Sequence, residues 1–243
     1  MKRIYAIAGS VVADAARRKV LYAVLAVAAV MTFAIPSLPS YGVGVVGAIY
    51  REVSLAVIYA AAVLVTIAMC ANRIPGEVER RTVYNVLAKR VGRWEYIVGT
   101  WLGVFVVMGV LIAAFAAVDI AIGALVYHEA MWRLLEGAFA IWLEAGVLAA
   151  AAVAVSSRIG PVPVTLASLT FLFVAHSRQA IVGSSPSLIG RLYPSLDVFA
   201  IIDPVSHGSG VPAAQLGLMV VAFAGWILIL LALGSLAFQG RDL

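Results

Sequence analysis

Two carboxyl groups sit where the sequence leaves little room for water. Asp119 and Glu144 are the only acids well inside long apolar runs. A charge at the centre of a bilayer costs about 2.5–3.5 kcal/mol on insertion scales, so such residues face a bundle interior, a cavity or a partner subunit. Each has two readings: part of a polar substrate path, or a clamp that ties helices together by a hydrogen bond, with the carboxyl kept neutral. Asp119 also lies near enough the end of its run to reach the outer interface. His176 closes another apolar run, where capping or an interfacial position suits it better than ligation. His207 follows Asp203 by four residues, but Pro204 and Gly208 break that segment and leave helical metal-ligand spacing unsupported. Cys70 is the one cysteine. Alone in an apolar run it is a packing residue, and it excludes an intrachain disulfide or a cysteine-rich metal site.

Catalytic motifs are missing. There is no Gly-x-Ser-x-Gly, no His-Glu-x-x-His and no cluster of histidines and acids at ligand spacing. Gly42-x-Gly44-x-x-Gly47 spells a dinucleotide fingerprint, but that motif needs a preceding strand, a following helix and a distal acid. None fits, which leaves a flexible outer loop or a close-packed helix edge. A P-loop is absent too, so any nucleotide that drives this chain is bound by a separate subunit.

The elements that must position these groups are membrane spans. Hydrophobic residues make up 64% of the 243, and charged residues only 12%, about half the usual share of a soluble domain. Mean hydropathy is +1.06, which marks an all-α polytopic membrane protein. Apolar runs place six spans at about 20–35, 53–71, 97–127, 137–155, 164–176 and 214–238. The first is near the short limit, and the third exceeds the roughly 20 residues a bilayer needs, so it tilts, kinks or protrudes. Ahead of them Ile4, Ile7, Ala8, Val11, Val12 and Ala15 recur at helical spacing opposite Lys2, Ser10, Asp14 and Arg17. That pattern suits a helix lying in the interface, in preference to a signal peptide cleaved near Ala13-Asp14-Ala15. Residues 177–212 contain four prolines and no run long enough to span; short interfacial or re-entrant helices fit there.

Between the second and third spans lies a strongly charged segment, residues 72–96, with nine of the chain's 29 charged side chains, six of them basic. With the amino terminus inside, six spans put 13 Lys and Arg in the cytoplasm and 4 outside, as the positive-inside rule favours. The net charge of +5 therefore reports topology, with no nucleic-acid partner. Both termini are expected on the cytoplasmic side of the inner membrane.

This segment resembles the permease subunits of bacterial ABC-2 type transporters. The matching run is Glu77-Val78-Glu79-Arg80-Arg81-Thr82-Val83-Tyr84-Asn85-Val86-Leu87-Ala88-Lys89, followed by Arg93-Trp94-Glu95-Tyr96-Ile97-Val98-Gly99. Arg90-Val91-Gly92-Arg93 replaces the family's Pro-Val-Ser-Arg turn, and Thr100 stands where lysine is usual. The likeness extends to the amino-terminal Arg-Ile-x-Ala-Ile-Ala, the Glu144 region and the carboxy-terminal Phe-x-x-Arg-Asp-Leu. It implies six helices, an amino-terminal interfacial helix, and a coupling helix in the 72–96 segment that docks on an ABC ATPase subunit through Glu77, Glu79, Arg80, Arg81, Thr82, Tyr84 and Asn85. It further implies a second permease chain and surrounding membrane lipid as partners. The permease itself would carry no cofactor and no catalytic activity, with ATP and Mg held by the ATPase. Glu144 and Asp119 would then belong to the substrate path. The rival reading is a secondary transporter or integral membrane enzyme that uses the same two acids.

Overall fold

The computed structural model describes residues 2–17, 19–34, 46–79, 92–177 and 195–239, of which 87% are helical, with no strand among them. The helices are α1 (Lys2–Ala15), α2 (Lys19–Ala34), α3 (Val46–Glu79), α4 (Arg93–Val126), α5 (Leu134–Ser156) and α6 (Pro161–His176). A 3₁₀ turn (Asp197–Phe199), a short α7 (Ile202–Ser206) and α8 (Ala213–Gln239) complete the chain. Stretches in α3, α4, α5 and α8 are long and apolar enough to cross a bilayer; α2 and α6 are shorter apolar helices. This is the architecture of a multi-pass membrane protein.

α5 is the hub, packed against α3, α4, α6 and α8, with 78% of its apolar window buried. Its sequence explains the position. Ala149, Ala150, Ala151 and Ala152 form a run of small side chains, and small residues let helix backbones approach closely where no hydrophobic force separates helix from lipid. Gly146 is filled from two sides: an added Cβ would lie 2.7 Å from both Phe105 and Phe223. Trp101 Nε1 donates to Gly146 O at 2.9 Å and Trp142 Nε1 to Phe105 O at 3.0 Å, so the bulky rings of this core satisfy their polar atoms on neighbouring backbone.

α1 lies on α4 along Gly99-x-x-x-Gly103. A Cβ at Gly99 would meet Ile7 Cβ at 2.8 Å, and one at Gly103 would meet Val11 Cβ at 2.5 Å and Ala8 O at 2.9 Å. The expected apolar face of α1 is used there, with Ile7, Ala8, Val11 and Ala15 buried; Val12, assigned to the same face, is 39% exposed. The polar face is engaged as well. Arg73 reaches from α3 to Asp14 Oδ2 at 3.2 Å and Ser10 Oγ at 3.1 Å, and Arg3 pairs with Glu95 of α4 at 3.7 Å. At the same end of the bundle, Arg93 Nη1 donates to Phe238 O at 2.9 Å and Arg158 Nε to Ala237 O at 2.7 Å. Two cations thus serve the last carbonyls of α8, where helix groups lack their own donors.

The opposite end is closed by a second set of polar contacts. His128 takes φ of 54° just past α4, a left-handed residue that stops the helix, and Glu129 N–H returns to Gly123 O at 3.2 Å. That turn aims Glu129 at Arg51, 3.1 Å away, while Arg51 Nε donates to Ser206 O at 3.0 Å. These bonds explain the largest departure from the sequence expectation. Residues 46–52, expected in an outer loop, are the first two turns of α3, because Arg51 is paired rather than solvated and Tyr50 is buried. At the other end α3 runs past the expected stop at 71 and through Pro75 to Glu79. Pro75 lies inside this helix, not in the first turn of a new one, and Ile74 beside it is fully buried.

Candidate functional site

α3 carries the two tyrosines that meet the two buried acids. Tyr59 O–H donates to Glu144 Oε1 of α5 at 2.9 Å, and Tyr50 O–H donates to Asp119 Oδ1 of α4 at 3.1 Å and to the Asp119 carbonyl at 3.3 Å. The tyrosines are nine residues apart, which at 3.6 residues per turn is two and a half turns, or about 13 Å along the axis on opposite faces. The acids are therefore approached from different sides of α3 at different depths, and among the described residues they share no hydrogen-bond partner.

Glu144 is 4% exposed. His176, the last residue of α6, brings Nε2 within 3.3 Å of the same Glu144 Oε1. His176 Nδ1 lies 3.1 Å from Leu172 O. A carbonyl can only accept, so Nδ1 carries hydrogen. Nε2 and Oε1 then need one more proton between them, present either as imidazolium with carboxylate or as neutral imidazole with a carboxylic acid. The two forms have the same net charge and differ by one proton transfer over a short distance. The expected capping role of His176 is thus only half of what it does. Its ring is about one-third exposed, at 35%, so the cluster leads from the buried carboxyl towards the surface of α6. The cleft beside it, lined by Tyr59, Ala62, Val63, Glu144, Leu148 and Leu172, is too narrow for a water molecule.

α6 has 16 residues, a rise of about 24 Å against the roughly 30 Å of a bilayer core. It starts at the α1 end of the bundle and stops at the level of Glu144. A helix that ends beside a buried acid presents unpaired carbonyls there. His176 and Ser177, whose hydroxyl donates to Phe173 O at 2.6 Å, provide donors for that last turn.

Asp119 is wholly buried. The Tyr50 ring that covers it packs on Tyr127, centroids 4.9 Å apart. Asp119 Oδ2 and the buried Ser54 Oγ close no hydrogen bond of good geometry among the described residues, although Ser54 adjoins both Tyr50 and Asp119. No route outwards comparable to His176 accompanies this acid among the described residues.

The remaining expected site residues have different outcomes. Glu77 and Glu79 close α3; Arg80, Arg81, Thr82, Tyr84 and Asn85 lie outside the described residues. Of the three fingerprint glycines only Gly47 is described; it sits in the first turn of α3, where a Cβ would come 2.6 Å from the carboxylate end of the Glu129 side chain. His207 Nδ1 lies 2.8 Å from Asp203 O, a backbone contact within α7's last turn, and no group of His, Cys, Asp and Glu suited to a metal ion occurs among the described residues. Cys70 is buried. The sequence reading missed Tyr50 and Tyr59, and it missed Gly99 and Gly103, which a search for Gly-x-x-x-Gly in apolar runs would have found.

Compared with known proteins, the chain matches no family model and no curated sequence. Its function has to be argued from the site itself.

Proposed function

We propose that this chain is the permease subunit of an ATP-driven ABC-2 type transporter, working as a pair of permease chains on two ATPase chains and exporting a substrate by alternating access. The observation that supports this most is how the charged segment is mounted. α3 and α4, which flank it, each have 34 residues, about 51 Å against a bilayer core of roughly 30 Å. Both are tied at that end to α1, by Arg73 with Asp14 and by Glu95 with Arg3. A push on residues 80–91 would therefore reach α1, α3 and α4 together, as coupling to an external motor requires.

The same arrangement is compatible with six crossings, four by the long apolar helices and two by the shorter α2 and α6. The amino-terminal helix, the end of α3, the start of α4, the α5–α6 turn and the end of α8 lie at one end of the bundle; the start of α3, the α4–α5 turn and residues 195–212 lie at the other. With α2 and α6 crossing as short spans, the positive-inside rule assigns the α1 end to the cytoplasm of the inner membrane.

The test is co-purification of the full chain with its cognate ATPase, followed by transport in vesicles. Association weakened by Glu79→Arg combined with Arg80→Glu, and transport abolished by vanadate, are the expected results. Wild-type association in that variant reduces the segment to a linker. One observation favours a second reading, a secondary transporter: the Glu144–His176 pair is built to pass a proton. Transport that runs on a proton gradient without ATP would put that reading first.

A further inference from the structure

We propose that the cleft between α6 and α8 at the α1 end binds an anionic phospholipid, with its phosphate on Arg158 and an acyl chain along the two helices. The cleft has a volume of about 420 Å³ and is lined by residues that include Ala154, Arg158, Ala167, Phe171, Leu230 and Leu233. Its polar lining residues are Arg158, in the turn after α5, and the buried Ser168, whose hydroxyl is spent on Val164 O at 2.8 Å; the others are apolar. Ala154 and Ala167 open the space, and Phe171 and Leu230 form its half-buried walls.

Arg158 is exposed and already oriented. Its Nε donates to Ala237 O at 2.7 Å, while its two terminal nitrogens have no acceptor among the described residues. A guanidinium fixed at one edge presents the other as a planar fork, which matches the paired oxygens of a phosphate. Around the cleft, Val162 and Leu166 of α6 and Leu228 and Leu236 of α8 are 61–72% exposed. In a multi-pass membrane protein those faces belong to lipid tails. A soluble anion would use Arg158 and leave the apolar floor empty. A helix of a second copy, about 10 Å across, would fill 420 Å³ in roughly one turn, too little to seat it. A single chain with an anionic head uses the whole site. A larger groove of about 500 Å³ between α1, α2 and α4 has no charged residue in its lining and offers an internal control without a head-group partner.

The experiment is native mass spectrometry of the purified full chain, titrated with phosphatidylglycerol, phosphatidylcholine or glycerol phosphate. Wild type should retain phosphatidylglycerol over phosphatidylcholine by roughly tenfold, the scale of one charge-assisted hydrogen-bonded contact. Arg158→Gln should lower phosphatidylglycerol binding more than that of phosphatidylcholine, whose phosphate is already neutralised by its choline, and so bring the preference close to one; Arg158→Lys, which keeps the charge but loses the fork, should keep part of it. Ala167→Trp should lower phosphatidylglycerol occupancy with the oligomeric state unchanged. Equal retention of the two lipids by wild type, or a preference that survives Arg158→Gln, overturns the proposal. So does glycerol phosphate binding as tightly as the lipid, which would make this a soluble-anion site. Loss of oligomers in Ala167→Trp with lipid occupancy intact would assign the cleft to a second copy instead.

Discussion

Asp119 and Glu144 each accept a hydrogen bond from a tyrosine of α3, at 3.1 and 2.9 Å. Around Asp119 the second tyrosine, Tyr127, closes the packing, and one carboxyl oxygen is left without a donor among the described residues. Around Glu144 the same oxygen that takes the Tyr59 hydroxyl also meets the His176 imidazole at 3.3 Å, and that ring is part-exposed. Two acids with the same composition of neighbours at first glance thus differ in connection. One is sealed between helices; the other ends a short chain of exchangeable groups. Burial of a carboxyl does not distinguish a clamp from a pathway; a second titratable group beside it, here His176, is the feature that only Glu144 has of the two among the described residues.

The largest effect should come from Glu144→Gln. The amide keeps the size and an acceptor for Tyr59 but can no longer exchange a proton with His176. Hydrogen bonds to charged groups contribute about 1.5–3 kcal/mol, so under the proposed ATP-driven transport the rate should fall roughly ten- to hundredfold, while expression and thermal stability in detergent stay near wild type. Full transport by Glu144→Leu would end the pathway role. Failed assembly of both variants would make Glu144 a clamp and dissolve the contrast with Asp119.

His176→Gln sharpens the same comparison with a smaller effect. Glutamine retains a donor that reaches towards Glu144 but cannot carry the shared proton. Transport should drop several-fold, about a third to a full factor of ten, with the melting temperature little changed. If His176→Gln transports normally while Glu144→Gln does not, the carboxyl acts alone and the imidazole only caps α6 through Leu172 O.

These distinctions were only partly legible in the chain. The apolar runs located the helices because a bilayer sets their length, and expected spans such as 137–155 and 214–238 lie within α5 (Leu134–Ser156) and α8 (Ala213–Gln239). Both ends of α3 were misread because charge was taken for solvent. Arg51 is held by Glu129 and Ser206, and Arg73 by Asp14 and Ser10, so charged residues continue a helix when a partner elsewhere in the chain neutralises them. Asp119 and Glu144 stood out as rare acids in apolar runs. Their tyrosines did not: Tyr50 and Asp119 are 69 residues apart and Tyr59 and Glu144 85, and a tyrosine in an apolar helix carries no periodic mark of its partner. His176 could be placed at a helix end from sequence, but its reach to Glu144 depends on α6 stopping short beside α5.

The smallest effect should come from Asp119, and it is the one that tests the sealed half of the comparison. Tyr50→Phe removes the hydroxyl that donates to Asp119 Oδ1 at 3.1 Å and leaves the carboxyl with the adjoining Ser54. Hydrogen bonds between membrane helices average about 0.6 kcal/mol and reach about 1.7, so the unfolding free energy in detergent should fall by an amount of that order, read as a small drop in melting temperature. Asp119→Asn should do the opposite or nothing. Its amide keeps an oxygen for Tyr50 and can turn its NH₂ towards Ser54 Oγ, which is buried without a hydrogen bond of good geometry; a new bond there would offset the change. Coupled transport should remain at wild-type level in both variants, because neither touches the Glu144–Tyr59–His176 chain. A transport loss in Asp119→Asn with stability unchanged would show that the second acid works as well. The half-turn offset of Tyr50 and Tyr59 on α3 would then mark two stations on one path rather than a clamp and a relay.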